Sequence, residues 1–123
     1  MSPSVATPNA YRESAVLSAS PGLLVVMLYD GARKFLFQAG VAMRDGQVEL
    51  TNNKLRRAED IIQHLRDALD FEQGEIAQNL ESIYVFCLRR LRQSRFDRDP
   101  AMLDQVSGLL GDLREAFATI ANA

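Results

Sequence analysis

Apolar residues recur every three or four positions along most of this chain, which is the spacing that places them on one side of an α-helix. The pattern predicts four helices, from about Pro21 to Arg44, Thr51 to Leu69, Glu75 to Arg95, and Pro100 onward. No segment alternates apolar and polar residues over a useful length, so no β-strand is predicted. Long helices joined by short loops favour antiparallel neighbours. We therefore predict an all-α fold, an antiparallel up-down four-helix bundle.

The ends of the predicted helices carry capping signals. Ser20-Pro21 and Asp99-Pro100 each combine an N-cap residue with a proline at the first helical position. Asp45-Gly46 is a turn signal after the first helix. We expect residues 20–123 to form the bundle domain and residues 1–19, with their prolines and small residues, to form a flexible N-terminal segment.

The first predicted helix is unusually apolar. It carries no charge before Asp30, and its apolar residues form two adjoining stripes. A helix that is apolar all round must be covered on more than one side. The sequence leaves two interpretations open: a central helix of the bundle, or a helix with surplus surface that receives a partner.

Composition excludes several classes of protein. The chain has 123 residues, of which 47% are hydrophobic and 24% charged, as in ordinary globular domains. A net charge of −2 gives no general attraction to nucleic acid or acidic membranes. The apolar run Leu23–Leu28 is far shorter than the ~20 residues of a membrane span. We expect a cytoplasmic protein that binds no nucleic acid and does not insert into a membrane.

His64 and Cys87 are the two residues of the sequence with candidate chemistry. His64, the only histidine, falls near the polar face of the second helix. An exposed histidine on a four-helix bundle could act in a phosphorelay, but no Lys and Gly follow it to support a phosphoryl group. Cys87 lies in an apolar row with no second cysteine for a zinc site, so we expect a buried structural thiol. We predict no catalytic residue, no metal site and no cofactor.

A basic cluster ends the third helix, consisting of Arg89, Arg90, Arg92, Arg95 and Arg98. It could hold phosphate or an acidic partner. The alternative is a favourable placement of cations at a helix C-terminus, with Asp97 and Asp99 as counter-charges.

Several motifs together resemble the flagellar secretion chaperones of the FliS family. They are Ala10-Tyr11, Ser14 to Pro21, Met27-Leu28-Tyr29-Asp30-Gly31-Ala32, Gly74-Glu75-Ile76-Ala77-Gln78-Asn79-Leu80 and Leu88-Arg89-Arg90-Leu91. The resemblance extends over nearly the whole chain. It implies a cytoplasmic helical bundle that binds the C-terminal segment of flagellin, prevents its premature polymerisation and helps deliver it to the export gate.

The surplus apolar surface of the first three helices predicts where flagellin binds. We expect it to contact Leu28, Tyr29, Ile61, Leu65, Leu80 and Tyr84. We expect Tyr11 to act as a lid over the groove or, as the resemblance implies, to contact the cytoplasmic domain of the export gate. The alternatives are a generic helical adaptor with another client, or phosphotransfer through His64. The sequence leaves homodimer formation open.

Overall fold

The computed structural model describes residues 21–121, and this part of the chain is helical with no strand. Its four α-helices are α1 (Pro21–Arg44), α2 (Val48–Asp67), α3 (Glu75–Asp97) and α4 (Pro100–Ala121). The predicted all-α class is therefore confirmed. The Ser20 cap, Tyr11 and the 1–19 segment lie outside the described residues.

The helices form an up-down ring in which each packs on the next, and α4 closes the ring against α1. Ion pairs record the antiparallel directions. Asp30, early in α1, pairs with Arg114, late in α4, at 2.9 Å. Glu59 and Arg66 on α2 pair with Arg95 and Glu81 on α3, so residues further along α2 meet residues earlier on α3.

A three-residue turn reverses the chain after α1. The N–H of Gly46 donates to the Met43 carbonyl and the N–H of Gln47 to the Ala42 carbonyl, at 3.2 and 2.9 Å. This pairing requires a left-handed residue, and Gly46 supplies it with a φ of 72°. Because the turn is so compact, α2 begins at Val48, earlier than the predicted Thr51.

The other two connections also match the local chemistry. Asp70 accepts the N–H of Glu72 at 3.0 Å and starts a 3₁₀ turn, Phe71–Gln73. Arg98 has a φ of 49° and ends α3 by donating its N–H to the Ser94 carbonyl. Asp99 then accepts the N–H of Ala101 at 3.0 Å, which confirms the predicted cap of α4.

The core runs along the bundle axis and draws side chains from every helix. Its largest fully buried members are Tyr29, Tyr84, Leu36, Leu55, Ile62, Leu91, Leu103 and Leu110. Cys87 is fully buried among them, as predicted.

Candidate functional site

All the flagellin-contact candidates within the described chain lie in one half of the bundle. We call the end where α1 and α3 begin, and α2 and α4 finish, the proximal end, and the opposite end the distal end. The candidates fall in the first half of α1, the second half of α2 and the first half of α3, which the antiparallel topology places side by side. Leu28 and Tyr84, which are 56 positions apart in sequence, therefore lie in the same half of the bundle.

Leu28 and Ile61 belong to the contact between α1 and α2. Leu28, Gly31 and Phe35 follow one another at helical spacing and therefore share one side of α1. Phe35 on that side lies under Lys54 and Arg57 of α2. A Cβ atom at Gly31 would stand 3.4 Å from the Ile61 Cδ1 atom, so α1 and α2 approach closely here.

Tyr29 and Tyr84 meet across the core. Their hydroxyl groups hydrogen bond to each other, and the two side chains are 0% and 2% exposed. The ring of Phe117 stacks on Tyr29 with a centroid separation of 5.7 Å. Burial raises the pKa of both phenols, because the charged form loses its hydration. This pair joins α1 to α3, which are not neighbours in the ring.

The candidate residues thus differ in accessibility. Leu28, Ile61 and Leu80 are half-buried and pack on the edge of the core. Tyr29, Tyr84 and Leu65 are buried. A partner laid on the closed bundle reaches the first three side chains directly and the other three only if neighbouring residues move. Contact between any of them and flagellin stays a prediction.

Sequence reasoning missed the exposed apolar residues of the proximal end. Phe71, Ile76 and Ile120 are 51%, 69% and 70% exposed. Periodicity placed Ile76 and Ile120 on core stripes, but both lie in terminal turns that neighbouring helices do not cover. An aromatic residue in an otherwise polar loop was the available signal for Phe71.

His64 and Cys87 lie in opposite environments. The His64 imidazole is exposed and makes no hydrogen bond or ion pair with another residue of the 21–121 region. Burial raises the pKa of the Cys87 thiol to about 11, so the nucleophilic thiolate is scarce at neutral pH. Within the same region, no three His, Cys, Asp or Glu side chains are grouped as metal ligands.

Within the basic cluster, Arg95 is the one arginine that forms an ion pair among the described residues. Arg95 forms a two-pronged ion pair with Glu59 of α2, with N–O distances of 2.6 and 2.8 Å. The expected counter-charges are used elsewhere, since Asp97 accepts from the Gln93 amide and Asp99 caps α4. Neither carboxylate forms an ion pair with an arginine of the cluster among the described residues, so their role as nearby counter-charges stays a prediction.

No described helix is both long enough and apolar enough to span a bilayer.

Comparison with known proteins identifies the family that this chain resembles. A family model described as flagellar protein FliS matches residues 4–123. The flagellar secretion chaperone FliS of Salmonella typhimurium is 41% identical over 110 residues, covering 88% of this chain and 82% of the relative. FliS of Bacillus subtilis is 35% identical over 109 residues, covering 89% and 81%. FliSB of Pseudomonas aeruginosa is 34% identical over 111 residues, covering 89% and 88%.

Proposed function

The chain belongs to the FliS family of flagellar secretion chaperones, and from that membership we propose that it binds the C-terminal segment of flagellin in the cytoplasm. Its relatives are named for a non-enzymatic role, so the protein is a chaperone and not an enzyme. Binding would keep flagellin from polymerising before export, and the complex would then pass to the cytoplasmic domain of the export gate.

One observation carries the proposal. The candidate contact residues converge on the proximal half of the bundle, whose end also carries the exposed side chains of Phe71, Ile76 and Ile120. Half-buried Leu28, Ile61 and Leu80 lie between this end and the core. An apolar surface that passes from exposed to half-buried residues on several helices suits a long apolar segment better than a small ligand.

The physical driving force would be removal of apolar surface from water. Burial contributes about 25 cal/mol for each Å² of apolar area, and the ordering of a disordered client subtracts from that total. A flagellin segment that becomes helical on binding would place its apolar side chains on the proximal half, as in other helix-in-groove complexes. A moderate net affinity allows the client to be released for export.

Buried Tyr29, Tyr84 and Leu65 take part in this proposal as the floor beneath the half-buried residues. Tyr29 and Tyr84 fix α1 against α3 through their shared hydrogen bond. Leu65 lies one helical turn from Ile61 on α2. Flagellin would touch these residues only where binding moves a neighbouring side chain.

Tyr11, ahead of α1 in sequence, would serve the site in one of two ways. It would cover the groove until flagellin displaces it, or it would contact the export gate once flagellin is bound. A tyrosine suits either role, because its ring buries area while its hydroxyl still reaches water or a polar partner.

A direct binding measurement tests the proposal. We expect the full chain to bind a synthetic flagellin C-terminal peptide in calorimetry, with a negative heat-capacity change and weak salt dependence. A flagellin N-terminal peptide of equal length is the matched control. Equal binding of both peptides would indicate a generic adaptor, and no binding of either would refute a flagellin chaperone. Phosphate transfer to His64 from a phosphorylated response regulator would favour the alternative class.

A further inference from the structure

The solvent-facing side of α3, away from the proximal end, carries a cationic surface that the flagellin site does not use. We call it the α3 basic face and define it by Phe86, Arg89, Arg90, Arg92 and Phe96. These residues share the outer side of the helix, because the intervening Cys87, Leu88, Leu91 and Ser94 are buried. Its position towards the distal end separates it from the candidate flagellin residues.

Arg89, Arg90 and Arg92 form no ion pair with another residue of the described chain. Arg95 is paired with Glu59, but residues 21–121 contain no carboxylate within ion-pair distance of Arg89, Arg90 or Arg92. Asp97 and Asp99 are engaged in a side-chain contact and a helix cap. The whole chain has a net charge of −2, so this concentration of positive charge runs against the overall balance. Placement at a helix C-terminus explains cations in the last turn and does not reach Arg89 or Arg90.

The Arg90 side chain packs against its own helix. Its guanidinium lies over the Phe86 ring, 5.4 Å from the centroid. Its Nε atom is shielded from solvent and has no acceptor among the described residues. Packing and stacking have therefore already restricted this side chain, which lowers the entropy lost when it binds an anion. Because Nε is covered, an incoming carboxylate would pair with the terminal nitrogens of the guanidinium.

Two clefts lie beside Arg90. One, of about 220 Å³, is lined by Phe86, Arg89, Arg90 and Gln93. Another, of about 290 Å³, lies between Arg90 and the start of α4, where Asp99 also lines it. Further along the helix, the Phe96 side chain is 84% exposed, which leaves a large aromatic ring available for contact.

From these observations we propose that the α3 basic face is a second docking surface, and that it binds an acidic, amphipathic protein segment. Carboxylates of the segment would pair with Arg89, Arg90 and Arg92. Its apolar side chains would contact Phe86 and Phe96. Aromatic rings before and after the arginines along α3 favour a peptide with both kinds of side chain over a purely anionic polymer.

A peptide of repeated Glu-Leu-Glu-Ala units, labelled with fluorescein, is the probe. We expect fluorescence anisotropy to report saturable binding to the full chain that weakens as salt is raised. The same peptide with Gln in place of Glu should bind weakly. Absence of binding, or equal binding of the two peptides, would overturn the proposal. So would tighter binding of single-stranded RNA or of phosphatidylserine vesicles than of the acidic peptide.

Variants assign the binding to residues. Arg90→Gln should weaken binding of the acidic peptide about tenfold, because a charge-assisted hydrogen bond is lost. The control Arg56→Gln removes an exposed arginine of α2 and should have little effect. Phe96→Ser should weaken binding, whereas Phe71→Ser at the proximal end should not. Equal effects of a variant and its control would refute the assignment to α3.

Charge reversal keeps the test independent of folding defects. The Arg89→Glu/Arg92→Glu double variant should lose the acidic peptide and gain a Lys-Leu-Lys-Ala peptide, with an unchanged helical circular dichroism signal. Flagellin-peptide binding is measured in parallel and should be unaffected by every α3 variant. If the double variant lost binding of both the acidic peptide and the flagellin peptide, flagellin itself would bind this face and the proposal of a second site would be overturned. If the wild-type chain bound the acidic peptide but not the flagellin peptide, only the proposed flagellin function would fail.

Discussion

The hydroxyl of Tyr29 on α1 and the hydroxyl of Tyr84 on α3 are each other's hydrogen-bond partner inside the core. Both side chains are almost fully buried, so neither hydroxyl has bulk water as a substitute. A buried hydroxyl without a partner costs more than the hydrogen bond itself contributes. The pair therefore specifies how α1 and α3 are placed relative to each other across the bundle.

That relationship predicts strong coupling between two conservative substitutions. Tyr29→Phe and Tyr84→Phe should each lower the free energy of unfolding by about 1–3 kcal/mol, because each leaves one hydroxyl unpaired. The double variant should cost clearly less than the sum of the single ones. Urea unfolding followed by circular dichroism measures the free energy of unfolding of the wild type, both single variants and the double variant. Additive losses would contradict a direct hydrogen bond.

The buried thiol predicts a specific loss of stability in alkali. Burial raises the pKa of Cys87 from 9.0 to about 11. Above the lower value the unfolded chain releases this proton while the folded chain keeps it, so rising pH favours unfolding. The protonated thiol therefore stabilises the folded state fully below about pH 9. The free energy of unfolding falls by roughly 2–3 kcal/mol as pH rises through the pKa of the folded state.

Comparison with Cys87→Ala isolates this effect from other titrating groups, including the two buried tyrosines. We expect urea unfolding to show that wild type loses more stability than the variant between about pH 8 and pH 11. Parallel losses in the two proteins would mean that the thiol ionises alike in the folded and unfolded states.

The core position of α4 is tested at Leu110, which is fully buried. Leu110→Ala should lower the free energy of unfolding by roughly 2–5 kcal/mol, through lost transfer energy and a residual cavity. The neighbouring Leu109 is only half-buried and provides the control, for which a smaller loss is expected. A negligible effect at Leu110 would show that α4 packs by another face.

The proposed flagellin surface is tested at Ile61, which is half-buried beside Gly31. Ile61→Glu should weaken binding of the flagellin C-terminal peptide while the helical signal persists, because a carboxylate would have to be desolvated under the client. Val48→Glu adds the same charge to the same helix at the distal end and should leave affinity unchanged. Wild-type affinity of the Ile61 variant would remove this residue from the site, and loss of folding would assign it to the core.

Tyr11→Ala separates the two roles proposed for that residue. Folding should be unaffected in either case. If Tyr11 is a lid, flagellin should bind faster or more tightly to the variant. If it contacts the export gate, flagellin binding should persist while association of the complex with the gate's cytoplasmic domain falls. Unchanged behaviour in both measurements would show that Tyr11 has neither role.

The sequence alone determined the helices and their order. Repeated apolar positions such as Leu55, Ala58 and Ile62 identify helix faces. Gly46 marks where α1 ends, and Asp99 marks where α4 begins. These signals are local, because capping and turn chemistry depend on side chains within a few residues of one another. The family resemblance was also visible in sequence, since its motifs are short and ordered.

Tertiary structure decided which residues of an apolar stripe reach the surface. Tyr84 and Ile76 both follow the α3 periodicity, yet one is buried and the other is 69% exposed. Periodicity gives the direction of a side chain from its own helix axis but not how far the neighbouring helices extend. The sequence also does not predict the ion-pair partner of Arg95. Glu59 is distant in sequence, and its carboxylate comes within 2.6 Å of the Arg95 guanidinium only when α2 packs on α3.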